Sequence, residues 1–384
     1  MKALSSFSFL RLTLALTLSG IAAAAQPIST TRIIASSIIQ ADQVDYNQLD
    51  HGVYFFGNNR QAQKFVPGQA NVYFDRSKKT MIYFHGWQKD STRNSRRETF
   101  DRSQGNAPFD LTTAWRNSGW NVGICYWNQF ADEQEVKDAE AKVWSAAGPR
   151  AMRWAKRDGS FGTGPNISAG TLCANAIAAA LNNFTGSQLR LVGHSLGSQM
   201  AINVAQQLSD RVDAFQLPIA ARPARVSLLD PAFLRDARPY LNNRWTGEVA
   251  RGIVANLKAN KGVIFESFRS SGSTSNGFIG DANHELLRMT AFTELASSYY
   301  QFWQFGEKHE MAVWWYLWSM AFAPGPLINH ATPVHPASSV ARAPSAATED
   351  YRVRAQMNSS LKTLHAAGTN SKTPQDDTFD FFNK

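Results

Sequence analysis

Cysteine is nearly absent from this sequence. The 384 residues hold only Cys125 and Cys173, so no disulfide framework supports the fold, and its stability must come from an ordinary hydrophobic core. The two thiols either pair or stay apart, because sequence does not place their Cα atoms. Long apolar runs are also missing. The run from Leu12 to Leu18 is too short to cross a bilayer, and later ones are broken by polar residues. Acidic residues are the minority, 30 against 39 Lys and Arg, for a net charge of +9. Internal repeats are absent, which excludes a repeat array. No zinc-type grouping of His and Cys appears, so neither a metal nor another cofactor is expected.

What is present begins with a leader pattern. Lys2 and Arg11 precede the apolar run, and the small residues Ala22 to Ala25 precede Gln26. That is the layout of a secretory signal peptide over residues 1–25. The expected location is extracellular, or periplasmic in a Gram-negative host. In an exported protein the basic charge does not point to nucleic acid. It suits an anionic lipid interface, or equally an ordinary solvated surface. Three glycosylation sequons start at Asn166, Asn183 and Asn358.

Strand-like and helix-like runs alternate after the leader. "VYFD" (72–75), "TMIYFHG" (80–86), "WNVGICYW" (120–127), "LRLVGHS" (189–195), "ARVSLLDPA" (224–232) and "GVIFESF" (262–268) read as strands. Helical stretches separate the later ones. The strands are apolar almost throughout, which suits parallel strands covered on both faces. The expected class is α/β, a mostly parallel central sheet with helices on both faces. A catalytic domain is expected over 26–322, with a lid near 270–306, where aromatic residues are dense. Residues 323–384, rich in Pro, Ala and Ser and then polar, read as a wrap and tail.

Four positions carry chemistry. Ser195 lies in Gly193-His194-Ser195-Leu196-Gly197, between an apolar strand and a helix, the setting a nucleophile elbow requires. The bland alternative is a turn whose serine only caps the helix. Asp230 ends the next apolar strand, where an α/β sheet places its functional groups, and Pro231 breaks the strand there. Asp213 and Asp281 end no strand and are weaker candidates. Among the histidines that follow, His309 leads into a strongly apolar helix able to fix its ring. His284, His330, His335 and His365 remain rivals. For an oxyanion, the donors expected are the amides of Leu196 and of Trp87, the latter after His85-Gly86 at the end of an earlier strand. His85 itself braces that loop.

The F-H-G-W stretch ending in Trp87, G-H-S-L-G around Ser195, L-D-P-A at Asp230 and His309 before an aromatic-rich helix resemble the pancreatic-type lipase family of α/β-hydrolases, over roughly residues 70–320. The resemblance is to a distant, single-domain, microbial secreted member. It implies the α/β-hydrolase fold and a lid just before His309. It also implies a Ser195-Asp230-His309 triad with Leu196 and Trp87 as oxyanion donors. The implied partner is a lipid ester, triacylglycerol or phospholipid, at a lipid–water interface. An acyltransferase using the same triad is the alternative, and a non-catalytic lipid-binding protein of the same fold is a remoter one.

Overall fold

A computed structural model describes residues 37–102, 110–272, 283–328 and 342–384. The leader, Asp281, His330, His335 and most of the loop 269–280 lie outside these residues. In chain order β1 (Ile38–Gln40), β2 (Gly52–Phe56), β3 (Gln61–Lys64) and β4 (Lys79–Phe84) come first. Then come α1 (Thr113–Asn117), β5 (Trp120–Tyr126), α2 (Asn128–Ala131), α3 (Val136–Trp144) and a separate ribbon of β6 (Trp154–Ala155) and β7 (Phe161–Gly162). A regular alternation follows: α4 (Ala169–Ala180), β8 (Leu189–His194), α5 (Leu196–Asp213), β9 (Arg225–Leu229), α6 (Thr246–Lys261) and β10 (Ile264–Arg269). The chain continues through α7 (His284–Arg288), β11 (Ala291–Glu294), α8 (Phe305–Trp318), β12 (Leu327–Ile328), α9 (Asp350–Asn358), β13 (Leu361–Ala367) and β14 (Thr378–Asn383).

The main sheet runs in the order β1-β3-β2-β5-β4-β8-β9-β10-β11-β13-β14-β12. Every pairing from β5 through β13 is parallel. The pleat then divides the side chains between two cores. Ile82 and Phe84 of β4, with Leu189 and Leu191 of β8, join Ala174, Met200 and Val204 of α4 and α5 on one face. Met81, Tyr83 and Val192 face the other way and join Trp115 of α1 and Trp314 of α8. Helices therefore cover both faces, and the class expected from the continuous apolar strands is present: the α/β-hydrolase arrangement.

Strand order also positions the site. β5 lies on one side of β4, and β8 lies on the other. Connections after β4 and β8 leave in opposite directions, which opens a crevice beyond the carboxyl ends of these strands. Gly86 and Trp87 follow β4, Ser195 follows β8, and Asp230 follows β9.

Several sequence expectations need correcting. "VYFD" is a turn rather than a strand, with Val72 63% exposed; Phe74 instead stacks on Phe55, ring centroids 4.2 Å apart. The stretch expected as a lid contains a strand of the main sheet, β11, which pairs in parallel with β10 and β13. The boundary at 322 does not separate off a tail. β13 and β14 extend the sheet, and Ala343, Ala346 and Phe379 are buried against α8. This covering explains why α8 is apolar all round from Met311 to Trp318, a pattern that belongs to a buried helix. Cys125 and Cys173 are buried free thiols whose side chains lie close enough to interact. No helix among the described residues is long and apolar enough to cross a membrane.

Because β14 closes the core over α8, Phe379→Ala should destabilise the protein by about 3–5 kcal/mol. Denaturant unfolding measures this; an unchanged midpoint would return residues 323–384 to the status of a tail.

Candidate active site

Ser195 has φ 55° and ψ −123°, a conformation in which a side chain other than glycine is strained. The surroundings hold it there. Its amide donates to the Leu229 carbonyl at 3.0 Å, and its own carbonyl accepts from the Ser198 amide at 3.0 Å. A Cβ on Gly193 would sit 2.1 Å from the Gly197 carbonyl oxygen, so only glycine permits the elbow. The serine side chain makes no capping bond to α5, contrary to the bland reading of the motif. Its hydroxyl is left half-buried at the mouth of the crevice.

Two backbone segments flank that hydroxyl. Leu196 opens α5, where the first amides of a helix lack intrahelical acceptors and carry the positive end of its dipole. On the other side, a Cβ on Gly86 would approach Ser195 Cβ to 2.9 Å, so glycine lets the loop after β4 lie against the elbow. Trp87 is pinned by its indole Nε1–H, which donates to the Glu133 carbonyl at 2.7 Å. His85 braces the same loop. Its Nδ1–H donates to the Gly86 carbonyl at 2.9 Å, and its Nε2 accepts from the Trp127 amide at 3.4 Å. The ring stacks on Trp127 at 5.5 Å, and burial holds its pKa below the ordinary histidine value.

Asp230 is fully buried, and its carboxylate is saturated. Oδ1 accepts from the Ser270 and Ser271 amides at 2.9 and 3.3 Å. Oδ2 accepts from the Ser271 hydroxyl and from His309 Nδ1, the latter at 2.5 Å. Those donors come from the end of β10 and from α8, so the carboxylate joins three elements. His309 sits in the first turns of α8, just before the helix enters the core. Two further bonds fix its backbone: the Ser270 hydroxyl donates to the Lys308 carbonyl at 2.6 Å, and His194 Nε2–H donates to the His309 carbonyl at 3.1 Å. With Nδ1 held by Asp230, Nε2 is the ring nitrogen without a hydrogen-bond partner among the described residues.

The rivals lie elsewhere. Asp213 is exposed and bonded to Arg222 and Lys261. His284 is exposed at the start of α7. His365 is buried, with Nε2 2.7 Å from Asp377 Oδ1. Sequence reasoning missed His194, Ser270 and Ser271. The signal was there for the serines, which follow directly on a strand's carboxyl end.

The His194 and His309 ring centroids are 4.4 Å apart. Burial and then the neighbouring His309 push the His194 pKa well below its ordinary 6.5. His194 is therefore neutral in the fold but takes up a proton in the unfolded chain. Its contribution to stability is full above the unfolded pKa and is lost as pH falls below it. Melting temperature should drop as pH is lowered from neutral through that range, and His194→Gln should flatten the dependence. An identical profile for both proteins would contradict this account of His194.

No protein-family profile matches the chain, and no curated protein does. Solved structures give only a remote likeness. Esterase 2 of Thermogutta terrifontis, phosphorylated by paraoxon, aligns at 10% identity over 73% of this chain and 92% of its own, with a TM-score of 0.33. A membrane phospholipase A, described as a bacterial virulence factor, aligns at 11% identity over 56% and 71%, with a TM-score of 0.27. Scores this low leave any assignment to the geometry.

Proposed function

We propose that this protein is a serine hydrolase of carboxylic esters, with Ser195 as nucleophile. The observation that carries the reading is the strained, uncapped Ser195 at the strand end next to a buried Asp230 whose carboxylate holds His309 Nδ1 at 2.5 Å. A serine hydroxyl is inert at neutral pH without a base, an orienting group and oxyanion donors. Each part is accounted for by a named residue.

The reaction follows from those parts. Ser195 Oγ attacks the ester carbonyl while His309 Nε2 takes its proton. Asp230 keeps the imidazole in the Nδ1–H tautomer and stabilises the charge it acquires. The amides of Leu196 and Trp87 receive the oxyanion, each worth about 3–4 kcal/mol in the transition state. His309 then protonates the leaving alcohol, and water, activated by the same nitrogen, releases the acid from the acyl-enzyme. None of these steps calls for a metal or an organic cofactor.

Within this class we favour a secreted lipase of the pancreatic type, acting on a lipid ester at a lipid–water interface. Phe302, Trp303 and Phe305, just before His309 in the chain, are 76, 59 and 50% exposed. Aromatic side chains in such a position suit contact with lipid headgroups and acyl chains. The leader over residues 1–25 supports export.

Ser195→Ala should lower the hydrolysis rate of nitrophenyl esters about a million-fold, and Asp230→Asn about 10,000-fold through the wrong imidazole tautomer. His309→Ala should match the serine variant, whereas His284→Ala should leave activity intact. Steady-state kinetics on folded variants decides; an active Ser195→Ala or His309→Ala protein would refute the assignment.

A further inference from the structure

A cleft of about 600 Å³ has both Trp87 and Glu310 in its wall. These residues adjoin Gly86 and His309, so the cleft lies beside the candidate active site. Among the described residues of its wall Trp87 is the one apolar side chain; the rest are charged, amide or hydroxyl groups. An acyl chain there would strip water from polar groups without replacing their hydrogen bonds. The part of a substrate that fits is polar, and in an ester of a fatty acid that part is the alcohol.

Its charges are unevenly matched. The carboxylates all have partners: Glu98 accepts from the Tyr83 hydroxyl at 2.6 Å and shares Arg102 with Glu310, the latter at 3.0 Å, and Asp101 pairs with Arg60 at 3.3 Å. Arg97 is likewise committed, to Asp50 at 2.6 Å and over the Tyr126 ring at 3.9 Å. Two cations are left. Lys89 and Arg96 are exposed, and neither side chain has an ion-pair or hydrogen-bond partner among the described residues. Asp90 is not part of the wall, and it accepts from Gln134. The Ser91 hydroxyl, also in the wall and only 4% exposed, has no hydrogen-bond partner among the described residues.

We propose that this cleft binds a phosphate group on the alcohol half of the substrate, with Lys89 and Arg96 supplying the charge. With Arg102 shared between Glu98 and Glu310, the four cations of the wall still outnumber its three carboxylates, and Arg and Lys are the side chains that bind phosphate oxygens best. The inference rests on the ester-hydrolase reading and narrows it to esters of phosphorylated alcohols, such as short or lysed phospholipids.

The test compares dihexanoylphosphatidic acid with dihexanoylglycerol, which share acyl chains and differ only in the phosphate. In the Lys89→Gln, Arg96→Gln double variant, KM for the phosphatidic acid should rise about tenfold with kcat unchanged, and the neutral ester should be unaffected. Equal effects on both esters, or no effect on either, would overturn the proposal. Calorimetric titration of the Ser195→Ala protein with glycerol phosphate separates the two readings. If neither ester is hydrolysed, the hydrolase reading fails, yet glycerol phosphate binding that disappears in the double variant still upholds the cleft. No binding of glycerol phosphate, or inorganic phosphate binding equally well, would reject it as a substrate subsite.

Discussion

The site depends on one backbone constraint, the left-handed conformation of Ser195 at the junction of β8 and α5. Holding a residue other than glycine there costs about 1–3 kcal/mol. The bond from its amide to Leu229 ties the turn to β9, and the glycine at 193 lets the chain fold back on itself. The consequence is directional. In an ordinary helix start the serine side chain would turn inward and cap the amides. Here it projects away from them, and those amides stay available beside it. β8 also lies between β4 and β9 in the sheet, so the loop carrying Trp87 and the strand end carrying Asp230 converge on the same point.

His309 comes from the far side of the sheet, and its position depends on how α8 is seated. A buried polar network beneath the site does part of that. Glu266 of β10 accepts from Ser227 of β9 at 2.6 Å and from the Tyr316 hydroxyl of α8 at 2.7 Å. Arg225 lies against Glu266 and also reaches Asp350 at the start of α9, Nε to Oδ1 at 2.9 Å. Such a network is costly unless every member is satisfied, and when satisfied it fixes one arrangement of the elements it joins. The helix that presents His309 is therefore anchored to the two strands that present Asp230 and its serine donors. The C-terminal segment completes the enclosure, with the Trp315 indole donating to Asp377 at 2.7 Å.

The central fold, and the four residues of the candidate site, were legible because their signals are local. A strand buried on both faces shows a continuous apolar run, and the residue that ends it is easily named; Ser195 and Asp230 were found this way. His309 required a choice, and the apolar helix after it was the deciding cue. The peripheral strands left weaker traces. β11 is only four residues long inside an aromatic stretch, and β14 buries just Phe379 fully while its end is exposed. Neither makes an apolar run, so composition alone suggested a lid and a tail. The roles of His194, Ser270 and Ser271 depend on contacts across 38 to 115 residues of sequence, which no local pattern encodes.

The central claim is that Ser195 is made nucleophilic by His309. Labelling with a fluorophosphonate probe, followed by mass mapping of peptides, tests it without any assumption about the natural ester. The account predicts one stoichiometric adduct, on Ser195, formed by the native protein and abolished in His309→Ala. No adduct on Ser195, or labelling that persists without His309, would contradict it.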